Sequence, residues 1–197
     1  MLDWLALSTY TMVMSITPGP NNVMLMASGA RFGFRRTVPH LLGITLGVTT
    51  QTVLACAGLA VAFDELPGAR HWLTIVGVAY MIWLAFRLLG AGSAATRHAA
   101  RPMTAWQALL FQAVNPKAWV MTLTTALVFM PKSGSAVLGV AALALVFVLV
   151  NIPCISLWAA CGSALRSWLD VGRRRIMFNV VMAASLAATA ASMIGSA

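Results

Sequence analysis

Thr17-Pro18-Gly19-Pro20-Asn21-Asn22 stands in the middle of residues 4–30, a stretch with no Asp, Glu, Lys, Arg or His. A similar interruption, Asn115-Pro116-Lys117, falls within the apolar run 103–130, and Pro18 and Pro116 are 98 residues apart. Proline lacks an amide hydrogen and crowds the carbonyl four residues back, so Pro18, Pro20 and Pro116 release the carbonyls of Met14, Ile16 and Gln112. In hydrocarbon such groups are tolerated only where they are buried in protein or line a wet cavity. Trp4 to Pro18 spans about 21 Å of helix and Ala105 to Pro116 about 17 Å, which puts both interruptions near the middle of a bilayer core of about 30 Å.

Working outward, the chain has 197 residues, 60% hydrophobic and 9% charged, with a mean hydropathy of +0.87. Soluble domains carry about 25% charged residues, so the composition excludes a soluble globular protein and a disordered acidic tail. Nucleic-acid binding is excluded too, because too few basic residues remain to track phosphates. Six continuous apolar runs are expected to span the bilayer: 4–30, 41–63, 72–89, 103–130, 133–165 and 176–197. None alternates as a membrane β-strand would. The first run lacks a basic leader and a cleavage site and is read as a retained helix. Residues 1–197 are expected to form a single transmembrane domain.

The basic residues set the orientation. Ten arginines (31, 35, 36, 87, 97, 101, 166, 173, 174 and 175) fall in the loops after spans 1, 3 and 5; Arg70 and Lys132 lie on the other side and Lys117 within a span. The positive-inside rule then places the ten in the cytoplasm and both termini outside, with attraction to anionic lipid headgroups as a consequence of the +9 net charge. Three spans per half means that the halves enter the membrane with opposite orientation. An inverted repeat is expected, repeat 1 at about 1–95 and repeat 2 at about 102–197, with spans 1 and 4 broken at their prolines. Cys56 and Cys154 share the 98-residue offset of the two prolines, and helix-breaking segments at corresponding positions of inverted repeats point to a transporter's binding site.

Each half-helix that starts after a break presents unpaired amides at the positive end of its dipole, where an anion fits. Asn21 or Asn22 is expected to cap the first of these half-helices, and Lys117 adds a full charge at the second. The freed carbonyls and the oxygens of Asn21, Asn22 and Asn115 supply acceptors for an ammonium. Donors for a carboxylate beside acceptors for an amine describe an α-amino acid; the same groups satisfying one another is the structural alternative. A lysine at a helix centre costs roughly 2.5–3.5 kcal/mol, and no span carries a carboxylate to pair with it. If 103–111 lies at the interface, Lys117 instead snorkels to the cytoplasmic face. Asn151-Ile152-Pro153 forms a candidate third break, and Gln51 with its neighbouring threonines lines either a polar path or a helix contact. Gly43-x-x-x-Gly47 reads as a close helix crossing, and a small chain with such a face is suited to dimerise.

Enzymatic readings lack residues. Asp3, Asp64, Glu65 and Asp170 are terminal or in loops, and His40, His71 and His98 lie at span ends or in loops on both sides, so no acid pair or metal site is expected. Cys56, Cys154 and Cys161 read as small apolar residues. No cofactor motif is present.

These motifs resemble the LysE/RhtB superfamily of bacterial amino-acid exporters. Thr17 to Asn21 with Gly33, Gly43 and Gly47 is similar to its N-terminal signature, and Asn115-Pro116-Lys117-Ala118-Trp119 to its second. Tyr80 to Leu84, Asn151 to Pro153 with Trp158 and Gly162, and Phe178-Asn179 extend the likeness over nearly the whole chain. The resemblance implies a multi-pass protein of the inner membrane that exports an amino acid or close derivative, in exchange for protons. It brings Pro18, Gly19, Pro20, Asn21, Asn22, Gln51, Asn115, Pro116, Lys117 and Asn151 forward as substrate-binding candidates. Asn21 and Val48 stand where members of the family carry acids, so a basic substrate lacks a countercharge and a neutral one is favoured, of the cysteine/O-acetylserine or threonine/homoserine type. Coupling to protons then rests on Lys117 or His40. Export of basic amino acids, a channel, and a structural or assembly role in the membrane are the competing readings.

Overall fold

The computed structural model describes residues 2–59, 67–90, 101–131, 133–170 and 172–194, which contain eight α-helices: α1 (Trp4–Ile16), α2 (Pro20–Phe32), α3 (Phe34–Leu54), α4 (Pro67–Gly90), α5 (Ala105–Gln112), α6 (Pro116–Phe129), α7 (Ala136–Ala164) and α8 (Gly172–Ile194). Arg97 and His98, assigned above to a loop and a span end, and the carboxylates of Asp64 and Glu65 lie outside the described residues.

Local sequence explains the boundaries. The Asp3 carboxylate accepts from Ala6 N at 2.9 Å to start α1, and Thr104 and Gln107 form a reciprocal capping box at α5. At the first break Gly19 is fully extended and Pro20 opens the next helix at a position where no amide is needed. At the second, Asn115 is held out of the helical region by the proline after it.

Two expectations require correction here. The arginines at 31, 35, 36, 87, 173, 174 and 175 lie on helices and not in loops; α2 and α3 are joined by Gly33 alone at φ 81, a left-handed turn that glycine makes without strain. α7 runs unbroken through Pro153; Pro153 and Leu149 face outward, and one proline removes a single hydrogen bond, which an otherwise intact helix survives.

Among the described residues, three helical segments are long and apolar enough to cross a membrane alone: Phe34–Gly58, Ala136–Ala164 and Gly172–Ile194. α1 with α2, and α5 with α6, reach comparable length only as pairs of half-helices. The solvent logic is inverted: Leu5, Trp72, Phe86, Val137 and Leu138 are exposed, while Ser15, Asn22, Gln51, Gln112, Asn115 and Asn151 are buried. That is the arrangement a lipid surround favours.

α3 and α7 cross at the centre. α1 and α2 pack on α7, α5 and α6 pack on α3, and α4 packs on α8, around a core that includes Leu25, Ile44, Val48, Met121, Phe147 and Ile155. Glycines make the crossings close. A Cβ on Gly29 would strike the Ala159 carbonyl, one on Gly162 the Met26 carbonyl, and one on Gly43 the Ala105 carbonyl. The Gly43/Gly47 face is therefore a close crossing as read, but it is used up within the chain against α5 and offers no surface to a second copy.

Candidate functional site

Both breaks open onto one cavity, lined by Met14, Ser15, Gly19, Pro20, Asn21, Asn22, Val48, Asn115, Lys117, Ala118, Met121, Asn151 and Ile155. Seven of the ten candidate binding residues are among these; Pro18, Gln51 and Pro116 are not.

The first break is held from four directions. Ser15 O accepts from Asn22 Nδ2 at 2.8 Å and Thr17 O from the same nitrogen at 2.7 Å. Ile16 O accepts from Trp158 Nε1 at 3.0 Å. Lys117 Nζ donates to Thr17 O, Thr17 Oγ1 and Pro18 O at 2.7, 2.8 and 3.0 Å, and Thr189 Oγ1 shares its proton between Ser185 O at 2.9 Å and Pro18 O at 3.1 Å. Thr17 Oγ1 can accept because its own proton goes to Val13 O, 2.8 Å away. No carboxylate among the described residues pairs with Lys117; its ammonium sits instead on the carbonyls at the negative end of the α1 dipole, with all three hydrogens engaged.

The second break centres on Gln112, which is 1% exposed. Its Nε2 donates to Ala108 O at 2.9 Å, a bond that only the nitrogen can make, so its Oε1 is the acceptor. Oε1 then takes Asn21 Nδ2 at 2.9 Å and Asn115 Nδ2 at 3.1 Å, and Gln112 Nε2 returns a bond to Asn21 Oδ1 at 3.1 Å. This fixed order of donors leaves Asn115 Oδ1 over. Gln51 Nε2 donates to Gln112 O at 2.7 Å, and Asn151 Nδ2 donates to Ser15 Oγ at 2.9 Å. The Oδ1 atoms of Asn115 and Asn151 and the Oε1 of Gln51 are buried with no hydrogen-bond partner among the described residues. Buried acceptors are rarely left this way.

Several expectations change at this resolution of detail. Asn21 and Asn22 do not cap α2; its N-cap is Gly19, and neither α2 nor α6 has a side-chain cap. Asn22 turns back to close the end of α1 instead. The leading amides of α2 and α6 therefore keep no partner inside their helices and border the cavity. Of the carbonyls released by the prolines, that of Ile16 is taken by Trp158 Nε1 and that of Gln112 by Gln51 Nε2, while Met14 O has Thr17 Oγ1 at 3.4 Å; among the described cavity-lining residues the unpartnered buried side-chain acceptors are the oxygens of Asn115 and Asn151. Gln51 ties α3 to the second break from outside the cavity. His40 is not at a span end: it lies in α3, 2% exposed, with neither ring nitrogen paired among the described residues.

Sequence reading missed Gln112 as a side chain, along with Ser15, Thr189 and the apolar wall of Met14, Met121 and Ile155. Gln112 had a signal, an amide inside an apolar run. The rest had none, because their partners lie on other helices. Gly77 was also missed; a Cβ there would strike the Pro116 ring, so α4 abuts the second break.

An apolar exterior, two broken helices and a polar cavity where they meet define a multi-pass membrane protein built as a transporter. A profile of the LysE type translocator family matches residues 12–196, and the chain belongs to that family. It is 29% identical over 177 residues, 89% of either chain, to cysteine/O-acetylserine efflux proteins of Salmonella typhi, Escherichia coli K12 and Shigella flexneri. No solved structure matches it.

Proposed function

We propose that this protein exports a neutral amino acid or close derivative from the cytoplasm across the bacterial inner membrane, in exchange for protons, and that the cavity between the two breaks is its binding site. The observation that carries the reading is that Asn115 and Asn151, each with a buried, unpartnered side-chain oxygen among the described residues, line the same cavity as the first residues of α2 and α6. Two acceptors await an ammonium and two helix N-termini a carboxylate. The wall between them is apolar and holds no acid, which disfavours a cationic side chain. Curated relatives named for cysteine/O-acetylserine efflux support a small substrate of that type or of the threonine/homoserine type. They are efflux proteins, not enzymes.

The chain works as two three-span halves of opposite orientation, about 1–95 and 102–197. Reciprocal packing supports this: each broken helix lies on the second span of the other half. The amides are reciprocal too, since Gln51 of α3 reaches the end of α5 and Asn151 of α7 reaches the end of α1. Both termini are periplasmic. Phe34 N donates to Ser163 Oγ at 3.3 Å, which brings the arginines at 31, 35 and 36 to the same end of the bundle as Arg166 and supports one basic, cytoplasmic side.

In that orientation α1 and α6 form the outer half of the site, latched by Lys117 on Thr17 and Pro18. α2 and α5 form the inner half, latched by the Asn21–Gln112 amide pair. With both latches closed the cavity is about 30 Å³, room for about two waters at roughly 10–15 Å³ each and too small for an amino acid. Loading requires the inner latch to open and release requires the outer, which is alternating access by rocking of the halves. A substrate carboxylate competes with the α1 carbonyls for Lys117, so substrate itself loosens the outer latch. Lys117 and His40 are the groups available to carry the exchanged proton.

Counterflow in proteoliposomes tests this. Labelled cysteine, O-acetylserine, threonine or homoserine is expected to exchange saturably, faster under an imposed pH gradient, and Lys117→Ala to abolish it. Folded protein that exchanges none of them would favour a structural role, and flux without saturation a channel.

A further inference from the structure

We infer that the α4/α8 flank binds an anionic phospholipid of the cytoplasmic leaflet, with its acyl chains in the groove between the two helices and its phosphate on the arginines at one end. The helices are antiparallel, since Ala85 packs near Ala183 while Val78 and Met81 pack near Ala190 and Met193. Alanines at 183, 184 and 187 leave the α8 side shallow, and Ile82, Phe86 and Leu89 wall the α4 side of a groove of about 290 Å³. Ile82 also borders a second groove of about 460 Å³, which runs past Val78 and Ile75 to His71. From His71 to Leu89 is 18 residues of α4, about 27 Å, close to the thickness of a bilayer core.

The two ends of this groove are unlike. At the Leu89 end stand Arg87 on α4 and Arg173, Arg174 and Arg175 in the first turn of α8, all exposed. Arg87 lies 5.3 Å over the Trp83 ring and Arg174 lies 5.4 Å over the Trp168 ring. Indoles settle at headgroup depth, and guanidinium groups beside them are suited to bidentate phosphate binding. A second copy is the poorer occupant. Two copies related by an axis along the membrane normal would bring these arginines face to face at one depth, like charge against like.

The test is native mass spectrometry of the protein released from nanodiscs of equimolar phosphatidylglycerol and phosphatidylcholine. The wild-type protein is expected to retain phosphatidylglycerol preferentially. The variant Arg87→Gln/Arg173→Gln/Arg174→Gln, which alters no core residue, is expected to lower that preference about tenfold or more. Ala184→Trp, which fills the groove and keeps the arginines, is expected to reduce retention of both lipids. Equal retention of the two lipids by the wild type would overturn the inference. So would undiminished retention of phosphatidylglycerol by Ala184→Trp, which would mean headgroups held on a basic surface without a groove. A lipid-free dimer that Ala184→Trp dissociates would assign the face to a second copy.

Discussion

Asn115 and Asn151 line the cavity, and each spends an amide nitrogen on a neighbour and leaves a buried oxygen unpartnered among the described residues, which makes their roles separable by mutation. Asn115→Ala removes one acceptor and leaves Gln112 Oε1 with Asn21 alone; Asn151→Ala removes the other and frees Ser15. Loss of a hydrogen bond to a charged ligand group is worth about 1.5–3 kcal/mol, so either change is expected to raise the half-saturation concentration in counterflow roughly ten- to hundredfold, with the protein still folded. Val48 faces the same cavity from α3 and contributes no charge. Val48→Asp places a carboxylate beside Lys117 and is expected to confer counterflow of lysine or arginine and to weaken that of the neutral substrate; unchanged selectivity would mean that Val48 does not touch the substrate side chain. The prolines, Asn115 and Lys117 were legible in the sequence because a helix breaker or a charge in an apolar run demands an explanation. The direction of each amide was not. It depends on Gln112 giving its nitrogen to Ala108 O, after which its neighbours have no choice.

At the scale of elements, the same residue type has opposite outcomes in α1/α2 and α7. Pro18 and Pro20 flank an extended glycine, and donors from α2, α6, α7 and α8 capture the carbonyls, so the helix parts. Pro153 stands alone, faces outward and bends nothing apart. Sequence supplied the location of breaks and crossings, while the capture that separates a break from a tolerated proline comes from distant helices. Each glycine crossing is a rigid contact between backbones. Gly162→Val is expected to cost about 1–3 kcal/mol or more by overpacking α2 against α7 and to lower the melting temperature in detergent. Gly90→Ala, where a Cβ meets nothing among the described residues, is expected to leave that temperature unchanged. Gly77→Leu presses α4 into Pro116 and is expected to slow exchange as well as destabilise, because it pins the segment where α5 and α6 must flex.

For the whole molecule, the closed cavity and its two latches make one claim: the halves separate at Asn21–Gln112 on one side and at Lys117–Thr17 on the other, and never at both together. Removing the inner latch with Asn21→Ala/Gln112→Ala is expected to raise the labelling rate of a cysteine placed at Val48 by a thiol reagent added from the cytoplasmic side, with little change from the outside. The antiparallel α4/α8 pair reaches the breaks through Thr189 on Pro18 O and Gly77 against Pro116. The most direct test uses a chain with Cys56, Cys154 and Cys161 replaced by alanine and cysteines introduced by Asn21→Cys and Gln112→Cys. These are joined by a short, reducible thiol cross-linker in proteoliposomes, and counterflow of the transported neutral amino acid is measured before and after reduction. Arrest while cross-linked and recovery on reduction is the predicted result. Exchange at the full rate with the cross-link in place would contradict a transport path that runs between α2 and α5.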